Sequence, residues 1–207
     1  MSPKTKEQFE EIRHRSKETI KQTAMELFAH KGYHSTSISK IAEEAGISKG
    51  LMYNYFASKE ALLGEIIMEA VHIGQYLLNQ SLEASDDPYE QLEILTNSSI
   101  NWIKSNEHYW KLLTSLAFQP DVQKMMLPIM KEHETVAIQK TLPVFEKMGL
   151  EKPLQELMLY SATMDGIMIQ YLQIGAEYPL EDMKNMILER YSRKRELRSR
   201  KPDTEEI

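Results

Sequence analysis

At 207 residues, with 42% hydrophobic and 27% charged side chains, the chain has an ordinary globular composition and enough length to bury its own core, which excludes a disordered or fibrous protein. The absence of cysteine excludes disulfides, thiolate zinc sites and cysteine nucleophiles together. The net charge of -6 is unevenly spread: residues 1–62 carry ten Lys and Arg against eight Asp and Glu, whereas residues 63–207 carry fifteen against twenty-three, so only the N-terminal part suits a polyanion.

No signal-peptide run opens the chain, and no window approaches the roughly 20 apolar residues of a membrane span. A cytoplasmic protein with no membrane partner is expected. Eight glycines and eight prolines leave little material for the tight turns of a sandwich or barrel, which points to helices. In the first clear helical segment Ile20, Ala24, Leu27 and Phe28 share a face, and Gly32 supplies a left-handed stop before Tyr33. A short helix capped by Thr36 or Ser37 buries Ile38, Ile41, Ala42 and Ala45 and ends at Gly46. Ser48 caps a third helix, Leu51 to Phe56, and Ser58 a fourth, which reaches about Leu78 with Leu62, Leu63, Ile66, Ile67, Ala70 and Ile73 on its apolar face.

Pro88, after an acidic stretch, reads as a fresh helix start. Ser105-Asn106 breaks that helix from a shorter one, and Pro120 opens a long one in which Pro128 and Pro143 each delete a backbone donor and invite a kink. The helix after Pro153 is apolar around most of its circumference, so one of its partner surfaces is expected to be a second copy of the chain. That expectation places Ile167, Met168 and Tyr171, with Met183 and Ile187 of the last helix, in a dimer interface. Ala162 and Gly166 have the spacing of a close helix crossing, and Asp165 either orients a ligand or, the favoured reading, is bonded to a neighbouring helix. Arg190, Arg193, Lys194, Arg195, Arg198, Arg200 and Lys201 form a basic cluster that suits the negative end of a helix better than a nucleic-acid arm.

The segment from Thr36 to Lys59 carries the most chemistry. Two helices that cross over a tight turn need a small residue at the contact, a glycine at the turn and apolar residues behind it. Ala42, Gly46, Ile47 and Met52 meet those needs at the spacing of a helix-turn-helix, although an ordinary helical hairpin has the same spacing. The second helix of the pair presents Ser48, Lys49, Gly50, Tyr53, Asn54 and Tyr55, followed by Lys59: hydroxyls, an amide and ammonium groups, with Gly50 permitting close backbone approach to a phosphate. Helix starts at Thr36, Ser37 and Ser48 add backbone N–H donors at the positive end of a helix dipole.

Gly32-Tyr33, Thr36-Ser37, Ile41-Ala42, Ala45-Gly46-Ile47-Ser48-Lys49-Gly50, Tyr53, Phe56 and Lys59-Glu60-Ala61-Leu62 together resemble the N-terminal signature of the tetracycline-repressor (TetR/AcrR) family of bacterial transcriptional regulators, over roughly residues 12 to 66. The resemblance implies an all-α protein: a three-helix helix-turn-helix domain at 1–64, joined through a long fourth helix to a helical ligand-binding and dimerisation domain at 65–207. It implies a homodimer on a double-stranded, pseudo-palindromic DNA operator, released by a small hydrophobic or aromatic effector, with no cofactor and no metal. Carried over to these positions, Ser37 and Tyr53 contact phosphates, Ser39, Lys49, Leu51 and Tyr55 face base edges or sugars, and Lys59 completes a phosphate clamp. Asn54 and Tyr55 depart from the aromatic and histidine common before the phenylalanine; Asn54 either reads an adenine edge or is a solvated polar residue.

Ten of the thirteen methionines and both tryptophans lie beyond the helix-turn-helix. Trp102, Trp110, Phe118, Met125, Met126, Tyr160, Met164 and Met168 are the candidate wall of an effector cavity, the alternative being plain core. An enzyme is disfavoured, since no nucleophile elbow, phosphate loop or metal-ligand spacing occurs, and Gly32 ends the helix between His30 and His34. A helical protein-interaction adaptor without an effector pocket is the remaining alternative.

Overall fold

The computed structural model of the chain describes residues 5–193, so Lys194, Arg195, Arg198, Arg200 and Lys201 of the basic cluster lie outside the described residues. Nine α-helices and no strand occur among the described residues: α1 (Lys6–Lys31), α2 (Ile38–Glu44), α3 (Lys49–Tyr55), α4 (Lys59–Ala84), α5 (Pro88–Ser105), α6 (Glu107–Ala117), α7 (Pro120–Lys147), α8 (Pro153–Ile174) and α9 (Leu180–Arg190), with a 3-10 turn at Gly175–Glu177. The all-α class and most helix starts follow the sequence pattern. Two helices are longer than their apolar periodicity indicated. α1 begins at Lys6 because Thr5 and Gln8 form a reciprocal capping box, and α4 continues to Ala84. α7 runs through Pro128 and Pro143 as one helix.

The chain divides into two compact units, Met1–Val71 with Lys111–Ile129, and His72–Trp110 with Met130–Ile207. In the first unit α1 packs on α2 and α2 on α3. Ile20, Phe28, Ile41, Met52, Phe56 and Leu62 are all but removed from water there, and Leu116 and Val122 from the later segment are buried too. Burial of that many large apolar side chains, at about 1.5–3 kcal/mol each, is what holds such short helices as α2 and α3.

The membrane expectation requires a correction. α4 is long and apolar enough to cross a bilayer by length and composition, with 28% of the qualifying window buried. Only Glu65 and Glu69 interrupt residues 61–82 with charge, and both are turned towards α1, where Lys17 and Lys21 meet them at 3.0 and 2.7 Å. The same helix buries Leu62, Leu63, Ile66 and Ile67 inside the first unit.

In the second unit α5 and α8 pack on α9 around a core that includes Leu92, Ile100, Phe145, Leu157, Tyr160, Ile167 and Ile187. Three rings meet there pairwise: Phe145, Tyr160 and Tyr191, with centroids 5.5 to 5.9 Å apart and tilted or edge-on geometry. The Tyr160 hydroxyl lies 2.8 Å from Thr96 Oγ1, and burial pushes its pKa up to about 12, so it stays a neutral donor at any physiological pH. Phe145→Ala should therefore lower unfolding stability by about 3–5 kcal/mol in a urea titration, and Tyr160→Phe by about 1 kcal/mol.

Candidate nucleic-acid interface

The turn between α2 and α3 is built by its backbone. Gly46 takes φ 69°, a left-handed conformation that any side chain would strain. Its N–H donates to Glu43 O at 3.1 Å while Ile47 N–H donates to Ala42 O at 3.0 Å, the paired bonds of a Schellman stop. Two residues later Ser48 caps α3 by accepting from Leu51 N–H, as Ser37 caps α2 by accepting from Lys40 N–H, both at 3.1 Å. Each capping oxygen uses a lone pair, so each serine O–H remains free to donate to a phosphate.

α3 has one buried residue, Met52. Ser48, Lys49, Gly50, Leu51, Tyr53 and Asn54 are exposed, as are Ser37 and Ser39 on α2, so eight of the expected DNA-contacting residues share open surface within one unit. Lys49 has no carboxylate partner among the described residues, whereas Lys40 is engaged by Glu43 and Glu44 at 3.1 and 3.0 Å. A Cβ added at Gly50 would meet nothing within 4 Å, so packing does not demand the glycine. The open backbone there suits close approach of a phosphate.

Three expected roles change. Thr36 is buried at 2% exposure, and its hydroxyl donates to Gly32 O at 2.9 Å, which makes it a bolt for the α1–α2 loop and removes it from any DNA surface. Lys59 is half-buried: its ammonium donates to Tyr33 O at 2.8 Å and Thr36 O at 2.9 Å and lies 4.2 Å from the Tyr33 ring centre. Two of its three protons are thus committed within the chain, and its role is to lock the start of α4 against that loop rather than to clamp a phosphate. Tyr55 is half-buried beneath the Arg13 guanidinium, 5.4 Å from its ring centre.

Sequence reasoning placed Tyr33 after a helix stop and within the family signature without giving it a partner, yet α1, the α1–α2 loop, α4 and the α6–α7 corner meet at it. Its ring packs edge-on against Phe28 at 5.0 Å, and its hydroxyl donates to Glu60 at 3.1 Å. Burial and the Glu60 charge both raise the phenol above its ordinary pKa, while Glu60 is held low by its own backbone N–H, the Ser58 hydroxyl and the Tyr33 hydroxyl. The backbone N–H of Tyr33 donates to Gln119 Oε1 at 2.9 Å, and Gln119 Nε2 donates to Phe28 O at 3.0 Å. One amide therefore caps the end of α1 from the α6–α7 corner. His34 and Asp121, 3.1 Å apart, add an exposed contact beside it. No sequence signal marks Gln119, because a side-chain cap from a distant segment has no periodicity.

The other expected sites fare differently. Ile167 and Ile187 are at 3% and 5% exposure within the core of their own unit, so they cannot form a dimer interface; Met168, Tyr171 and Met183 pack against that core half-buried. The apolar residues of α8 and α9 that remain exposed are Leu154, Met158, Leu159, Ile174 and Met186. A Cβ at Gly166 meets nothing and Ala162 is exposed, so this small-residue pair makes no close crossing with a neighbouring helix of the chain. Among the described residues Asp165 makes no ion pair or hydrogen bond with another helix, and desolvation of its carboxyl raises its pKa above the usual range although the residue as a whole is exposed.

Of the expected cavity wall, Phe118, Met125 and Met126 belong to the first unit and Trp102, Trp110, Tyr160, Met164 and Met168 to the second. Trp102 and Phe118 are exposed at 37% and 63%, and Tyr160 is locked in the ring cluster, so these three do not line a cavity; Met164 is core as well. Met125 and Trp110 are half-buried and Met126 is buried. An open groove of about 510 Å³ in the second unit is lined instead by Tyr89, Leu92, Glu93, Leu188, Tyr191 and Arg193, among others. Among the described residues no group of three or more His, Asp or Glu is placed to hold a metal.

The two lysines now predict separable behaviour. Lys49→Ala should leave stability within about 0.5 kcal/mol but make the slope of log K against log salt shallower by about 0.9 on duplex DNA. Lys59→Met should lower stability by about 1.5–3 kcal/mol in urea without DNA, since two charge-assisted hydrogen bonds are lost.

Residues 20–66 match the family described as bacterial regulatory proteins, tetR family. The chain is 33% identical over 93 residues to the uncharacterized HTH-type transcriptional regulator YxaF of Bacillus subtilis, which covers 44% of this chain and 49% of that protein. The chain thus spans about half the length of that relative. It is 25% identical over 178 residues to the fatty acid metabolism regulator protein of Bacillus subtilis, covering 80% of this chain and 88% of the relative. The structure of the fatty acid degradation regulator FadR from Bacillus halodurans shares the fold at TM-score 0.66 and 21% identity, over 84% of this chain and 93% of that one. The turn at Gly46, the two serine caps and the open face of α3 lie inside the matched segment, so residues 20–66 form a helix-turn-helix segment of the kind described for the tetR family of bacterial regulatory proteins.

Proposed function

We propose that the chain is a ligand-responsive DNA-binding regulator, a repressor that holds a pseudo-palindromic operator as a homodimer and releases it when a small hydrophobic effector binds. The observation that carries this reading is α3: Met52 alone is buried, and Lys49, Gly50, Leu51, Tyr53 and Asn54 are exposed to solvent beside the serine-capped helix starts at Ser37 and Ser48. A protein-interaction helix would turn an apolar stripe outward at this place. A surface of N–H and O–H donors with an unpaired lysine fits a phosphate backbone and a major-groove edge.

Reading two grooves on one face of a duplex requires two copies with recognition helices roughly 34–36 Å apart. The exposed apolar residues Leu154, Met158 and Leu159 of α8, with Met186 of α9, are the surface we assign to self-association. Small residues Ala162 and Gly166 on α8 allow a second helix to approach closely.

For the effector, Trp110 Nε1 and the Tyr178 hydroxyl are buried in the second unit without a hydrogen-bond partner among the described residues. Buried polar atoms are ordinarily bonded, so a ligand with an apolar body and a polar end would satisfy one of them. The relative matched over 88% of its length is named for fatty acid metabolism, which makes a long-chain acyl compound the first effector to test. α4, α6 and α7 each run through a division between the units, and Gln119 joins α6 and α7 to the end of α1. Ligand binding that shifts either helix would act on the Tyr33 contacts, and by linkage the effector would then bind free protein more tightly than the DNA complex.

Met158→Glu is expected to leave a folded chain that sediments as a monomer and loses operator affinity, whereas Ile167→Glu should fail to fold because it buries a charge in the core. A dimer unaffected by Met158→Glu would remove the assigned surface. A long-chain acyl-CoA or the free fatty acid should lower affinity for a duplex selected from a randomised pool. Affinity unchanged by saturating acyl compound would remove the acyl effector.

A further inference from the structure

We propose that the N-terminal turns of α1 are part of the DNA-binding surface, with Arg13 supplying a backbone-phosphate contact beside the recognition helix; this rests on the DNA-binding reading above and adds an element outside the helix-turn-helix. Residues 5–15 are exposed at every position, and the first buried residue of α1 is Ile20. A helical stretch with no core to rest on is marginal by itself. Here it is held by the Thr5–Gln8 capping box, with bonds of 3.0 and 3.3 Å.

The direction of this stretch is set by helix geometry. Lys6, Phe9, Arg13 and Ser16 fall within about 40° of the line of Ile20, so the face that turns inward further along the helix continues outward over the end of α3. Glu7 and Glu11 fall on the opposite side, and Glu11 binds Arg15 there at 2.5 Å. Arg15 is thereby neutralised on the far side by Glu11, while Lys6 and Arg13 stay on the line of Ile20, away from Glu7 and Glu11.

Arg13 is placed and unpaired. Its guanidinium lies 5.4 Å from the ring centre of Tyr55, the last residue of α3. The nearby cations Arg15, Lys17, Lys21 and Lys40 each have a carboxylate within 4 Å, whereas Arg13, like Lys49, has none among the described residues. A ring at this distance attracts the cation without using up its N–H donors, which stay free to donate to a phosphate in a bidentate manner. A surface arginine with neither feature would have no reason to be held at this spot.

The test is a salt series on a duplex selected by the unaltered protein from a randomised pool. Arg13→Gln, at an exposed position, should unfold in urea like the unaltered chain yet bind more weakly, with a slope of log K against log salt shallower by about 0.9. Arg13→Lys should keep the slope. A slope unchanged in Arg13→Gln overturns the inference, even if affinity falls, because that result assigns Arg13 to positioning Tyr55 only. If Lys49→Ala reduces the slope and Arg13→Gln does not, the recognition helix stands and the α1 extension falls. Absence of salt-dependent binding by the unaltered protein would overturn both.

Discussion

Everything that positions the recognition helix converges on Tyr33. The residue closes α1 through its ring on Phe28, receives the α6–α7 corner through Gln119, and anchors the start of α4 through Lys59 and Glu60. Short helices cannot hold their own orientation, since seven residues form too few internal hydrogen bonds to outlast solvent competition. α2 and α3 have seven residues each. Their placement is therefore decided by Gly46, which fixes the angle between them, and by the frame of α1 and α4 that Tyr33 ties together. The polar atoms buried there are satisfied: Thr36, Lys59, Gln119 and Tyr33 donate to or accept from one another or nearby backbone. In a low-dielectric setting such a network is stiff, because breaking one bond leaves its partner unpaired.

Charge in the first unit is arranged by pairing more than by number. An excess of two cations over residues 1–62 would be a weak lure for DNA if spread evenly. Lys17, Lys21 and Lys40 are neutralised by Glu65, Glu69, Glu43 and Glu44, and Lys59 is turned inward onto carbonyls. What remains is a small set of free donors around α3. Glu65 and Glu69 of α4 thereby serve as counter-ions to Lys17 and Lys21 of α1 and link those two helices.

The helix-turn-helix was legible in the sequence because its determinants are local. Ser37, Gly46 and Ser48 act on backbone within a few residues of themselves, and Ile41, Ala42 and Met52 follow helical period. Thr36 and Lys59 were misread as surface because their partners, Gly32 and Tyr33, are brought to them by the loop and not by the helix pattern. The α1 extension carried a readable mark in Thr5-x-x-Gln8. In the C-terminal part the outcome reverses: α8 is apolar nearly all round, and composition alone does not tell which side meets the chain's own core. Ile167 faces inward and Met158 outward, although either would satisfy an apolar pattern. Tyr160 was read as a cavity wall for its size, but its neighbours Phe145, Thr96 and Tyr191 come from three other segments.

On the proposed function, DNA meets the free sides of α2 and α3 within a frame fixed by Tyr33. Amide hydrogen exchange on the full chain, with and without a selected duplex, tests it most directly. Exchange should slow at residues 37–40 and 48–55, where helix N–H groups and exposed donors would face the phosphates. Protection confined to residues 130–190, with none at 48–55, would contradict it.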